Sequence, residues 1–358
     1  MDRRSFLKNS ALGGTAAAAT TLAAPAVAQG TRTLTLVTSV PEGFAIFDDA
    51  AQHFVDNVNA MSDGALTIDK KPAGSLVGAF EVFDAVTAGQ ADMYHSADYY
   101  FGGQHPGYYY FTAVPFGTTA QEMISWYQHG GGQELHDELG QIFGLKSFLC
   151  GNTGAQPGGW FRKEINSAAD LQGLKFRMPG LGGKALGLTG ASVQNVPGGE
   201  IYQALSTGAI DGAEWIGPFA DERLGLQEVC DYYYTGGFHE PGSALTCGVN
   251  LDVYESLSPA HQAIIKNAAM STHHWSLAQS IAENGAALDR LKAGGTKVLQ
   301  FPDDVWDSFR EASAAALDEF MGDELYARIR ESHESFKAAA AGWIDASDGA
   351  FTAQRDRG

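Results

Sequence analysis

The succession of strand and helix patterns along this chain predicts an α/β fold in two lobes, followed by a run of long helices. Three observations point to it. Residues 33–96 read strand-helix-strand-helix-strand, residues 144–216 repeat that rhythm, and from residue 258 onward the chain is helical. In the first unit, Thr33-Leu34-Thr35-Leu36-Val37-Thr38 alternates and is β-branched, so it predicts a strand. Residues 44–60 carry apolar side chains at helical spacing. Residues 64–69 form a second strand after the turn Ser62-Asp63-Gly64, residues 81–88 a helix stopped at Gly89, and residues 91–96 a third strand. This order gives a largely parallel sheet covered by helices. Ligands of such sheets lie beyond the carboxyl ends of the strands, which here means Thr38-Ser39 and Asp98-Tyr99-Tyr100.

Residues 144–150 read as a further strand, and in the second unit residues 174–177, 192–196 and 213–216 read as strands, with helices over 185–190 and 200–207, the latter closed by Gly208. Residues 242–249 read as a return strand. Ser258 is a helix N-cap with Pro259 at the first helical position, and helices follow over 259–293, 302–321 and 323–344. The predicted organisation is a leader over 1–28, a first lobe over 29–150 completed by a return strand near 242–250, a second lobe over 151–241, and a helical crossing and C-terminal segment over 251–358. Glycine clusters at 130–132, 151–159, 180–190 and 236–242 mark loops where backbone approaches something closely.

The leader has a basic head (Arg3, Arg4, Lys8), a weakly apolar Ala-rich stretch and the small residues Ala26 and Ala28 at a cleavage site. The Arg3-Arg4 pair gives it the form of a twin-arginine export signal. Its apolar stretch is too short and too rich in Ala, Gly and Thr to span about 30 Å of hydrocarbon. The chain has 23 basic against 42 acidic residues, a net charge of −19. That field disfavours nucleic acid and anionic membrane as partners. If the ligand is itself an anion, a local cation has to reverse the sign at the site. The three cysteines, Cys150, Cys230 and Cys247, are too few for a disulfide framework and read as buried free thiols.

The G-x-S-x-G and H-E-x-x-H signatures do not occur, and Gly180-Leu181-Gly182-Gly183-Lys184-Ala185 lacks the spacing of a phosphate loop. His261 and the pair His273-His274 lie in helical sequence and read as structural. Polar groups concentrate instead in three segments, 151–162, 176–180 and 212–218, each a strand end running into a Gly/Pro loop. Arg177 in the second is placed as a carboxylate clamp, since a guanidinium fork meets two oxygens; a surface ion pair is the alternative. Gln156 and Glu214 are hard oxygen donors that, with a backbone carbonyl, suit Na+ or Ca2+. Tyr99, Tyr100, Phe101, Trp160 and Trp215 either wall a small pocket or fill cores.

At these segments the chain resembles the periplasmic binding proteins of tripartite ATP-independent (TRAP) transporters, over about residues 33–345. The resemblance rests on Phe176-Arg177-Met178-Pro179, on the run from Gly151 to Phe161, on residues 197–211 and on Ala213-Glu214-Trp215-Ile216-Gly217-Pro218. These are similar to the branch that binds 2-oxo or 2-hydroxy acids with a metal ion. The resemblance implies a type II-like periplasmic binding protein with a cleft between its lobes. It implies that Arg177 clamps the ligand carboxylate and Tyr100 bonds the ligand. It also implies that Gln156, Glu214 and the carbonyl of Trp215 hold Na+ or Ca2+, with Glu240 completing the shell. The branch carries two aromatics before that acid where this chain has Phe238-His239, and often Met where it has Pro157. The implied function is capture of a small pyruvate- or lactate-like acid for the TRAP membrane subunits, by a periplasmic homodimer exchanging its last helix, and not catalysis. The rivals are a metal-dependent lyase or aldolase and a receptor that reports its ligand to a sensor.

Overall fold

The structure is a computed structural model describing residues 31–357, so the expected export signal lies outside the described residues. β1 (Arg32–Thr38) leads through α1 (Phe47–Met61) to β2 (Leu66–Lys71), and α2 (Val82–Thr87) leads to β3 (Met93–Ser96). β1 lies parallel to both β2 and β3, as the strand-helix-strand order requires. After a 3-10 turn at Asp98–Phe101 come α3 (Ala120–His129) and α4 (Gly132–Ile142), which the sequence reading did not anticipate, and then β4 (Leu145–Asn152). β4 continues beyond the expected break after Cys150.

The second sheet begins with β5 (Gly159–Phe161) and β6 (Lys175–Arg177). It continues through α5 (Gly180–Leu188), β7 (Ser192–Gln194), α6 (Ile201–Thr207), β8 (Gly212–Ala213), α7 (Pro218–Leu224) and β9 (Tyr232–Thr235). The chain then returns as β10 (Ala244–Asn250) and runs through α8 (Leu251–Glu255) and α9 (Pro259–Ala293) to β11 (Lys297–Gln300). It ends with α10 (Asp303–Asp318), α11 (Glu324–Ile344) and α12 (Ala350–Arg355). The first sheet has the order β2-β1-β3-β10-β4 and the second β11-β9-β5-β8-β6-β7. β10 is the expected return strand, antiparallel to β3 and β4. β11 was not expected: it leaves the helical segment to pair parallel with β9 in the second sheet.

Helices cover the sheets with the apolar faces their sequences present. On one side of the first sheet, Phe54 and Val58 of α1 and Ile265, Ala268 and Ala269 of α9 pack against Leu36, Leu66 and Val249. On the second sheet, Phe161, Phe176 and Tyr234 pack against Leu186 of α5 and Val305 and Phe309 of α10. α9 starts as its sequence demands: the Ser258 hydroxyl accepts from the His261 amide and Pro259 opens the helix. At 35 residues it is about 50 Å long. That reach lets one helix pack on β4 and α1 and also on α7. Cys150, Cys230 and Cys247 are free and buried. Among the described residues no helix is long and apolar enough to cross a membrane.

His95 on β3 makes this packing pH-sensitive. It is fully buried, its Nε2 lies 2.8 Å from the Cys150 carbonyl, and its Nδ1 has no partner. Burial pushes its pKa down to about 4, against the hydrogen bond to Cys150. The unfolded chain takes up a proton near pH 6.5 while the folded chain refuses it until about 4. His95 therefore contributes full stability above pH 6.5 and loses it as the pH falls through that window, by about 3 kcal/mol. Denaturant titrations between pH 4 and 7 are expected to show His95→Gln with a shallower pH slope than the wild type. Equal slopes would contradict this.

Candidate functional site

Each group of site residues comes together for a topological reason. β6 and β8 are parallel neighbours in register Arg177↔Ala213, so their carboxyl ends deliver Arg177 and Glu214 side by side. Gln156 lies in the segment that passes from β4 to β5, and His239 and Glu240 lie in the segment that passes from β9 to β10. These two crossing segments run together: the Thr153 amide donates to the Ser243 carbonyl at 2.9 Å, the Gln156 amide to the Glu240 carbonyl at 3.0 Å, and the Gly237 amide to the Gln156 carbonyl at 3.0 Å. Tyr100 arrives from the other sheet, in the turn after β3. The two sheets thus meet at this site.

Arg177 is fully buried and its guanidinium is largely occupied. Nε donates to the Val196 carbonyl at 2.9 Å and Nη1 to the Glu214 carbonyl at 3.1 Å. Nη1 also donates to Glu214 Oε1, and Nη2 to the Tyr100 hydroxyl at 3.4 Å. The ring of Trp215 lies 5.6 Å from the guanidinium carbon and stacks on Phe47. Arg177 is therefore neither a surface ion pair nor a fork free at both tips. Glu214 holds one tip, and the open donor is on Nη2 beside Tyr100.

The carboxylates are equally buried. Burial pushes Glu214 up to about 7, with Arg177 pulling it back. Burial and then the charge of Glu214 push Glu240 up to about 7 as well, while Ser243 donates a hydrogen bond to its Oε2. Burial holds the pKa of His239 down at about 4, so its imidazole is neutral. One ligand atom each from Glu214, His239 and Glu240 lie within 4.8 Å of one another. Two buried acceptors have no donor: Glu214 Oε2 and Gln156 Oε1, the latter because the Gln156 amide nitrogen is held by the Thr153 hydroxyl at 3.0 Å. Buried acceptors without donors are costly. An oxygen-seeking cation satisfies acceptors of this kind, and with Glu214 and Glu240 oxygens within 4.8 Å of one another the residues present fit one.

Below the site, Asp221 on α7 accepts four hydrogen bonds. They come from Trp160 Nε1 and the Tyr233 hydroxyl, each at 2.9 Å, and from the Ile216 and Gly217 amides, each at 3.0 Å. It ties the loop after Trp215 to β5 and β9. Sequence reading missed Asp221, although an acid in the first turn after Gly217-Pro218 was a visible helix-start signal. It noted His239 only as a departure from the expected aromatic. Arg177, Glu214, Gln156, Tyr100, Trp215 and Glu240, in contrast, all lie in this one region.

Residues 36–323 match DctP, bacterial extracellular solute-binding protein family 7. A monocarboxylate 2-oxoacid-binding periplasmic protein of Nostoc sp. (strain PCC 7120) is 39% identical over 309 residues, 86% of this chain and 85% of the relative. A TRAP periplasmic solute-binding protein of Pseudoalteromonas atlantica T6c, solved with bound sodium and pyruvate, is 39% identical, with a TM-score of 0.87 over 90% of this chain and 98% of its own. A TRAP solute-binding protein of Bordetella bronchiseptica RB50 is 35% identical, with a TM-score of 0.89 over 91% and 97%. It is a dimer of mixed occupancy, with copurified calcium and picolinate in one site and the other apo. With residues 36–323 matched and the two-sheet fold shared with solved members, this chain belongs to the DctP family of TRAP solute-binding proteins.

Proposed function

We propose that this chain is a periplasmic receptor that captures a small 2-oxo acid of the pyruvate type together with Na+ or Ca2+, and delivers it to TRAP membrane subunits. The observation that carries this reading is the buried Arg177–Glu214 pair beside two partnerless oxygens, Glu214 Oε2 and Gln156 Oε1. Arg177 and Tyr100 receive the ligand carboxylate through the Nη2 edge and the phenol hydroxyl. Gln156, Glu214, Glu240 and the Trp215 carbonyl hold the cation, which supplies the positive charge that chelates a carboxylate oxygen and the neighbouring oxo oxygen. In a buried, low-dielectric site these two charges outweigh the acidic surround. The relatives' names and bound ligands support the same class.

The reading is one of capture and not catalysis, and hinge closure of the two lobes buries the ligand. The leader directs export through the twin-arginine route. Trp343 and Phe351 near the C-terminus are 74% and 65% exposed, and a second copy of the chain covers them. The dimeric Bordetella relative supports that assembly. Native mass spectrometry of protein purified without refolding, then supplied with pyruvate and Ca2+, is the test. The expected species carries one acid and one cation per subunit at twice the subunit mass. Bare monomers would contradict the proposal, and steady consumption of pyruvate would convert it into an enzyme.

A further inference from the structure

We infer that His239 is a nitrogen donor to the cation of this site, so that first-row divalent ions gain more from it, relative to Ca2+, than they would from an all-oxygen shell. The inference rests on the proposal that a cation is held here. His239 is 1% exposed, and neither of its ring nitrogens has a hydrogen-bond partner. A buried imidazole with both nitrogens idle is unusual enough to need an explanation. Its Nε2 lies 3.5 Å from Glu214 Oε2, beyond the usual hydrogen-bond distance, and that oxygen has no hydrogen-bond partner either. The shared gap between two idle buried donors of electron pairs is a place for a cation.

The dimensions agree. The ligand atoms of Glu214, His239 and Glu240 span no more than 4.8 Å. Opposite ligands of an ion with bonds of 2.0–2.5 Å stand about 4–5 Å apart. The ring is held in place by two glycines. A Cβ at Gly182 would lie 2.5 Å from His239 Cβ, and one at Gly237 would lie 2.9 Å from His239 Cε1. Neighbouring Phe238 is anchored by stacking on Phe309 at 4.1 Å. The imidazole is thus fixed beside the carboxylates by close packing. Chemistry then sets the selectivity: Na+ and Ca2+ take oxygen ligands, whereas imidazole suits first-row transition ions.

The test uses the metal-free full mature protein and Mn2+ alone as probe, without and with excess pyruvate. Electron spin-echo modulation is expected to show coupling to an imidazole 14N nucleus, and His239→Phe is expected to lose it. Mn2+ affinity should fall about tenfold or more in that variant while Ca2+ affinity changes less than about threefold. His239→Gln, which restores an oxygen donor of similar reach, should lose the nitrogen coupling and keep Ca2+ binding. The wild-type spectrum tests the assignment even if a variant fails to fold. Absence of 14N coupling in both conditions, or an unchanged Mn2+ to Ca2+ affinity ratio in His239→Phe, overturns the inference. Pyruvate binding with Ca2+, measured on the same preparation, reads the receptor proposal separately. Pyruvate uptake without nitrogen coupling leaves that proposal standing and removes His239 from the shell; coupling without uptake does the reverse.

Discussion

Arg177→Ala is expected to lower the affinity for pyruvate by a factor of hundreds or more, and to destabilise the fold in the absence of any ligand. The binding loss follows from removing a fully buried charge that meets the ligand carboxylate, a change worth about 2–5 kcal/mol. The stability loss follows from Glu214, whose carboxylate would remain buried without its cation, at a cost of about 3–5 kcal/mol. Removing Arg177 also removes the pull that lowers the Glu214 pKa, so Glu214 protonates at higher pH in the variant than in the wild type, and the stability loss is expected to shrink as the pH falls. Arg177→Lys keeps the charge but loses the geometry in which Nε meets Val196, Nη1 meets Glu214 and Nη2 meets Tyr100. It is therefore expected to fall between wild type and the Ala variant. Calorimetry for binding and denaturant titration for stability separate the two effects. Unchanged pyruvate affinity in a folded Arg177→Ala protein would remove the clamp.

Much of the fold was legible because local signals agreed with one another. The alternation of β1, the Ser258-Pro259 start of α9 and the Gly208 stop of α6 each name an element and its boundary. What escaped were elements whose existence depends on distant partners. β11 is four residues long and is a strand because it pairs with β9; nothing in Lys297-Val298-Leu299-Gln300 alone demands it. β5 is shorter still and is defined by its neighbours, while the strand read at 213–216 is present as Gly212–Ala213. α3 and α4 did carry a signal in the capping box of Thr119 and Glu122, but the glycine cluster at 130–132 read as loop. In the structure that cluster makes a sharp corner between two helices, with Gly131 at φ 90°. For the site, Arg177 and Glu214 stood out because strand ends that run into Gly/Pro loops collect ligands. The nearness of Gln156 to Glu240 was not derivable from spacing, since it follows from two crossing segments hydrogen-bonding along their length. His239 was hidden by its place in a position where an aromatic ring is expected for packing alone.

In the proposed complex one acid binds through a carboxylate oxygen directed to Arg177 and Tyr100, and through that oxygen and its oxo oxygen to a cation held by Gln156, Glu214, Glu240 and Trp215. A plain carboxylate lacks the 2-oxo oxygen and cannot close that chelate, and the unloaded site keeps only the charge of Arg177. The expected effects are therefore large: removing the cation leaves Glu214 Oε2 and Gln156 Oε1 again without a partner, each costing about 1–3 kcal/mol, and propionate forfeits the second bond to the ion. The most direct measurement is a set of calorimetric titrations of pyruvate and of propionate into the same protein, first loaded with Ca2+ and then stripped of cations. Binding of pyruvate to the loaded protein, with weakening of at least about a hundredfold for propionate or on stripping, is the result expected from these losses. Propionate binding as tightly as pyruvate, or pyruvate binding undiminished in the stripped protein, would contradict it.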